Sequence, residues 1–280
     1  MGRKSVAWPQ AAGAPGSHIC PETKMTKRHS PEIIVTMLCD DETRSLAGEG
    51  RFSCLVESGE RKLLFDTGCD PQRVLRNLEA LECLPSSIDS VVVSSRHHDL
   101  LPQLVARLHR GVEVWLPASY STHGEEAVKN AGGVPRRVQA PRKLCADVFT
   151  LGELVGYYYV QIVAVCTAEG VNLIGELGPP GVRRIRERVD QTLPGASLYL
   201  ALGNFDNGRF DELEIYFEAE AFRDAGVKKV CPARCSGNVV RALLRDAFQE
   251  DYMELPVREC FRWPGPGRHA GFYMSRFAGD

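Results

Sequence analysis

His97, His98 and Asp99 follow one another just past the apolar run Val91-Val92-Val93, separated from it by Ser94-Ser95-Arg96. Neutral imidazoles and carboxylates hold divalent ions, and they also pass protons near neutral pH. A second polar group, Asp66-Thr67-Gly68, closes the apolar run Leu63-Leu64-Phe65. In layered α/β proteins, ligands bind at the carboxyl ends of strands. By residue type the triplet is therefore a metal or acid–base cluster, or else a polar surface loop.

A third candidate is Arg234-Cys235-Ser236-Gly237, ahead of an apolar helical pattern. A neighbouring cation lowers a thiol's pKa, so Cys235 reads either as a reactive thiol or as an inert cysteine near a helix start. Backbone N–H groups at a helix start, with Arg234 beside them, suit a phosphate or carboxylate. N-capping by Ser236 or Asn238 is the competing reading. The arginines at 183, 184, 186 and 188 make a basic face. Glu187 and Asp190 interrupt it, so it reads as a solvated face rather than a nucleic-acid site.

These residues need a scaffold of alternating strands and helices. Strands are expected at 32–39, 52–57, 62–65, 90–94, 112–116, 157–165, 171–174, 197–202 and 227–232. Phe52–Glu57 with Lys62–Phe65, and Tyr157–Val165 with Val171–Ile174, read as hairpins. Helices are expected at 72–81, 101–108, 125–131, 182–191, 213–225 and 237–248, where apolar residues recur at helical spacing. Hairpins mixed with crossovers argue for α/β with mixed sheets. Gly68 is expected to supply a backbone conformation open to glycine. His98 is expected to face solvent. Asp66 is expected either to orient the neighbouring loop or to cap the turn.

The 280 residues are 44% hydrophobic and 25% charged, with net charge −2. That is enough for a full core, and it gives no electrostatic case for nucleic acid or an anionic membrane. No apolar run approaches the ~20 residues that span a bilayer. Residues 1–30 carry no continuous apolar stretch of the secretory kind and read as a flexible leader, with Met25 as a second start. Cytoplasmic placement is the expectation. The ten cysteines include no CxxC pair, so most read as reduced thiols.

On particular motifs the chain resembles the metallo-β-lactamase superfamily, and within it the proteins like dihydropterin ribofuranosylaminobenzene phosphate synthase. That group carries a strand ending Leu-Phe-Asp-Thr-Gly, here Leu64 to Gly68. Upstream it has Glu-His-Gly-x-Ser, of which Glu49 and Ser53 match and the His does not. Its central motif is Ser-His-x-His-x-Asp-His. Here Ser94, His97 and Asp99 match, Ser95 takes the place of the first His, and Leu100 takes that of the last. A later Ser-His-Pro-Gly keeps only Pro180-Gly181. Leu-Gly-Gly-Phe-His-Leu becomes Leu202-Gly203-Asn204-Phe205-Asp206-Asn207. His-Cys-Thr/Ser-Gly becomes Arg234-Cys235-Ser236-Gly237.

The resemblance spans about Ile34 to Tyr252. It implies an αββα sandwich over 31–262, followed by a C-terminal tail over 263–280. It also implies an eroded two-metal centre, because serine ligates poorly, leucine cannot, and a guanidinium repels a cation. His97, Asp99 and Asp206 are what remains of the ligand set, with Glu176 and His98 as substitutes. Asp99 and Asp66 are the candidate catalytic carboxylates. Arg234, Cys235, Ser236 and Asn204 are the candidate ligand-binding residues. The expected protein is a pseudoenzyme that needs no cofactor and binds a small anionic molecule or a partner, with a second copy of itself among the candidate partners. The alternative is an active enzyme holding a single zinc, iron or manganese ion.

Overall fold

A computed structural model describes residues 31–41, 52–96, 98–206, 208, 212–265 and 273–276. The expected leader over 1–30 lies outside the described residues. The expected N-terminal hairpin is present. β2 (Phe52–Ser58) and β3 (Arg61–Phe65) pair antiparallel, with Leu55 opposite Leu64. β1 (Ile33–Asp40) flanks β2 on its other side. From β3 the sheet continues in parallel through β4 (Ser90–Val92), β5 (Glu113–Pro117) and β6 (Val134–Val138).

Parallel neighbours need crossovers, and three helices supply them: α1 (Pro71–Ala80), α2 (Leu101–Val105) and α3 (Thr122–Asn130). Asp70 caps α1 by accepting Gln72 N–H at 2.9 Å, with Pro71 at the first helical position. Val74, Leu75 and Leu78 then bury one stripe of α1 against Leu38, Leu55 and Leu64.

A second sheet follows. β7 (Arg142–Cys145), β8 (Val148–Val155), β9 (Tyr159–Cys166) and β10 (Val171–Glu176) pair antiparallel in turn. β11 (Leu198–Asn204) and β12 (Lys229–Pro232) continue it in parallel. α4 (Gly181–Thr192), α5 (Glu212–Asp224) and α6 (Asn238–Phe248) cover its outer face through Ile185, Phe222 and Leu244. Between the sheets lies an apolar layer that includes Met37, Phe65, Val163, Leu202 and Phe261. The result is the αββα sandwich with two mixed sheets.

Three departures from expectation have local causes. α2 stops at Val105, short of Leu108. β6, β7 and β8 went unanticipated: β6 and β7 are sheet edges, where Pro135 and exposed arginines are tolerated, and β8, an inner strand, is broken by an irregular register between Thr150 and Glu153. The C-terminal region is not wholly a tail. β13 (Glu259–Trp263) pairs with β1, and β14 (Tyr273–Arg276) pairs with β13. Among the described residues no helix is long and apolar enough to cross a membrane.

One buried side chain joins the two sheets. Gln161 on β9 is 0% exposed. Its amide donates to Val93 O at 2.9 Å and to Trp115 O at 3.1 Å, both on the first sheet. Its Oε1 accepts the Thr150 hydroxyl at 2.7 Å, and its backbone N–H meets Ser94 O at 2.5 Å. Leucine at this position would take the side-chain donor from Val93 O and the acceptor from the Thr150 hydroxyl, while Trp115 O would keep the Val93 N–H. We expect Gln161→Leu to lower the unfolding free energy by about 2–4 kcal/mol in urea titrations. A loss below about 1 kcal/mol would show that the amide does not tie the sheets together.

Candidate functional site

The polar ends of β3, β4, β10 and β11 carry the sequence motifs. Asp66 ends β3 with φ 56°, a left-handed backbone that few non-glycine residues adopt. Its backbone N–H bonds Val92 O at 2.9 Å, and its carbonyl accepts the Ser53 hydroxyl at 3.0 Å. The side chain reaches across to the next strand: Oδ1 accepts Ser94 N–H at 2.6 Å. It does not cap its own turn, one of the two roles expected for it; it pins the strand end from which the His97-His98-Asp99 loop departs.

His98 was expected in solvent, and the structure places it inside, 3% exposed. Nε2 lies 3.1 Å from Asp66 Oδ1 and 3.2 Å from Ser94 Oγ. Nδ1 lies 3.2 Å from Thr67 Oγ1, and the backbone carbonyl accepts the Tyr120 hydroxyl at 3.2 Å. Desolvation explains the inward turn, because a buried carboxyl needs partners and His98 and Ser94 provide them. Burial pushes the Asp66 carboxyl up to about 7, against the downward pull of Ser94's hydroxyl and N–H. The proton that Asp66 takes up near neutrality therefore lies in a contact shared with an imidazole. Asp66 Oδ2 is buried with no hydrogen-bond partner.

Glu176 ends β10 and is fully buried. Tyr158 OH and Asn204 Nδ2 both donate to its Oε2, at 3.0 and 2.7 Å. Its Oε1 has no partner. Burial raises this carboxyl to about 8, and the negative charge of Asp66 adds to the rise. Burial and the neighbouring Glu176 likewise push the Tyr158 phenol up. Tyr158 was not anticipated, since nothing in its local sequence separates it from the adjacent Tyr157 and Tyr159.

Asn204 does two jobs: besides Glu176, its Oδ1 accepts Asp206 N–H at 3.0 Å. Asp206 is half-buried and accepts Gly208 N–H at 2.9 Å, which shapes its own loop. Ser236 is fully buried. Its hydroxyl accepts Phe205 N–H at 3.0 Å and donates to Gly203 O at 3.3 Å, so it ties the end of β11 in place and does not cap α6. Cys235 is buried in the inter-sheet layer at 7% exposure, while Arg234 is exposed and its backbone N–H bonds Asp40 at 2.7 Å. Asp99 is exposed, and Ser95 is fully buried. His97, Glu49 and Asn207 lie outside the described residues.

The structure thus groups Asp66, His98, Glu176, Tyr158 and Asn204 in one buried polar zone. Whether that zone fits a metal pair depends on donors converging with free lone pairs. Both ring nitrogens of His98 already face protein partners. Among the described residues no three His, Cys, Asp or Glu side chains stand together as an ion would need. The described residues do not fit a two-ion centre.

No protein-family model matches the chain. It is 22% identical over 256 residues to 7,8-dihydropterin-6-methyl-4-(beta-D-ribofuranosyl)-aminobenzene-5'-phosphate synthase from Methanocaldococcus jannaschii, covering 74% of this chain and 87% of that enzyme. Among solved structures, a metal-dependent hydrolase of the β-lactamase superfamily superposes with TM-score 0.63 at 21% identity, over 79% of this chain and 95% of its own. The metallo-β-lactamase fold protein YhfI from Bacillus subtilis superposes with TM-score 0.55 at 13% identity, over 87% and 100%. The chain has the metallo-β-lactamase fold, and the synthase is of the kind its motifs resemble.

The buried acid makes a pH prediction. The folded Glu176 carboxyl holds its proton up to about 8, from an ordinary value of 4.5. The native state therefore binds more protons than the unfolded chain between those values. Its contribution to stability is complete below about 4.5 and is lost as pH rises towards 8. Glu176→Gln keeps the acceptor for Tyr158 and Asn204 but cannot ionise. We expect its urea stability to fall less than the wild type's between pH 5 and 8.5. Parallel pH curves for the two proteins would overturn the assignment.

Proposed function

We propose that this metallo-β-lactamase-fold chain has lost the two-ion hydrolytic site its motifs imply, and that it binds a small anionic molecule or partner beside Arg234. The observation that carries this reading is the closed network of Asp66, Ser94, Thr67 and His98. An imidazole with both nitrogens engaged by protein has no lone pair to offer an ion. The Asp66 Oδ1 that would orient such a loop is spent on Ser94 and His98. Ser95 and Leu100 stand at two ligand positions of the motif, and Arg234 brings a permanent cation to a third. The helix behind Arg234 supports the anion part of the reading. Gly237, the N-cap of α6, offers no side-chain hydrogen bond to the first-turn N–H groups.

A second reading has its own observation. Asp66 Oδ2 and Glu176 Oε1 are buried oxygens without partners, and the similar protein from Methanocaldococcus jannaschii is a synthase. In that reading the chain is an active hydrolase or a synthase-like enzyme, and His97, Asp99 and Asp206 would hold one zinc, iron or manganese ion.

Elemental analysis separates the two. Purified, dialysed protein is expected to hold well under one equivalent of zinc, iron and manganese together. One equivalent or more, lost in an Asp206→Ala or His97→Ala variant, would overturn the first reading and establish the second. For the anion site, inorganic phosphate is expected to raise the wild-type melting temperature and to leave Arg234→Ala unmoved. An equal rise in both proteins would remove Arg234 from the proposal.

A further inference from the structure

Two cysteines far apart in sequence meet beside the Asp66-Thr67-Gly68 turn. Cys39 Sγ and Cys69 Sγ lie 3.7 Å apart. Cys39 is fully buried at the end of β1, just past an irregularity in its pairing with β2. Cys69 is half-buried in the link between Gly68 and the cap of α1. The backbone itself holds the loop onto Cys39. Gly68 sits at φ +60°, and a Cβ placed there would fall 2.7 Å from Cys39 Cβ and 2.8 Å from its sulfur. Only glycine lets the chain come this close. A disulfide has S–S near 2.05 Å, so the sulfurs need to approach by about 1.7 Å.

The surroundings hold the half-buried sulfur in place as a thiol. Cys69 S–H donates to Asp41 Oδ2 at 3.1 Å, and the Arg73 guanidinium contacts the same carboxylate at 3.4 Å. Burial, aided by Asp41 and by Cys39, pushes the Cys69 thiol up to about 12, so Cys69 rests as the protonated thiol.

We propose that Cys39 and Cys69 form an oxidation site, a dithiol that closes to a disulfide on reaction with a low-molecular-weight disulfide. Cys69 is the half-exposed member and attacks first. Cys69 loses its proton to solvent, the sulfur bonds to one sulfur of the small disulfide, and the other leaves as a thiol after picking up a proton. Cys39 then attacks Cys69 in this mixed disulfide and expels the second small thiol, which takes the Cys39 proton. Two protein thiols are oxidised by two electrons, and one small disulfide is reduced to two thiols. The bond would fasten β1 to the turn whose Thr67 contacts His98. The site stands apart from the metal question, because neither cysteine belongs to the metal motif.

The test uses the full reduced chain equilibrated with oxidised glutathione. Remaining thiols are then alkylated, and the protein is read by intact mass and by non-reducing peptide mapping. The expected result is a loss of two hydrogens and a peptide linking Cys39 to Cys69. Cys39→Ser and Cys69→Ser should each abolish the linked peptide. Cys83→Ser, a buried cysteine beside Lys62 and outside the pair, should leave it unchanged. A stable glutathione adduct on Cys69 with Cys39 still free would overturn the proposal. So would alkylation of both sulfurs while the likewise half-buried Cys145 and Cys166 have reacted with glutathione. The wild-type map decides the matter even if a serine variant misfolds.

Discussion

The contact between Ser94 O and the Gln161 backbone, reinforced by the Gln161 amide on Val93 and Trp115, is where the two sheets are registered against each other. Apolar layers slide easily, because dispersion and burial have no direction. A buried amide that satisfies two carbonyls has one acceptable position. The contact fixes Ser94 at its carbonyl, and Asp66 fixes the same residue at its N–H. The loop that follows must therefore leave from a strand end held on both sides. Isolated pairing of Ser95 with Val160 continues the junction by one residue. The buried polar zone thus lies at the seam between the sheets, and its geometry depends on a glutamine outside every motif.

The sandwich was legible where one face of an element is apolar. The hairpin 52–65, the stripe Val74-Leu75-Leu78 and the buried strand at Val91-Val92 carry their own patterns, and each formed as expected. The run of strands from β6 to β8 was not legible. β7 reads Arg-Lys-Leu-Cys and β6 contains Pro135 between valines, because an edge strand has only one neighbour to satisfy. β13 pairs with β1 from beyond residue 258, and local periodicity carries no information about a partner more than two hundred residues away.

Within the site, residue types were readable and side-chain directions were not. The positions of Asp66, Asn204 and Asp206 at strand ends followed from the motifs. The inward turn of His98 did not, because it depends on the desolvated carboxyl of Asp66, which is distant in sequence. Ser236 illustrates the same limit from the other side. A serine before a helix reads as a cap, yet its hydroxyl is drawn to Phe205 N–H and Gly203 O by a strand end thirty residues earlier. Local rules describe what a side chain can do. Burial decides which of those options is exercised.

Asp66 and Glu176 show what that decision means for chemistry. In a pocket lined by cations or ions, two carboxyls so placed would be charged, and each bare oxygen would have a positive neighbour. Here burial raises one to about 7 and the other to about 8, and the Asp66 charge adds to the rise of Glu176. Carboxyls in this state meet neutral water partly or wholly protonated, and a protonated carboxyl can donate a hydrogen bond as well as accept one. The residues around them respond consistently. Tyr158 and Asn204 crowd one oxygen of Glu176, while Ser94 and His98 crowd one oxygen of Asp66, which leaves a single open oxygen on each acid. Proton occupancy is a sufficient way to keep both acids buried. The same two open oxygens are the feature that a cation would compete for, so proton and ion are rivals for one site, and raising the pH shifts that contest towards the ion.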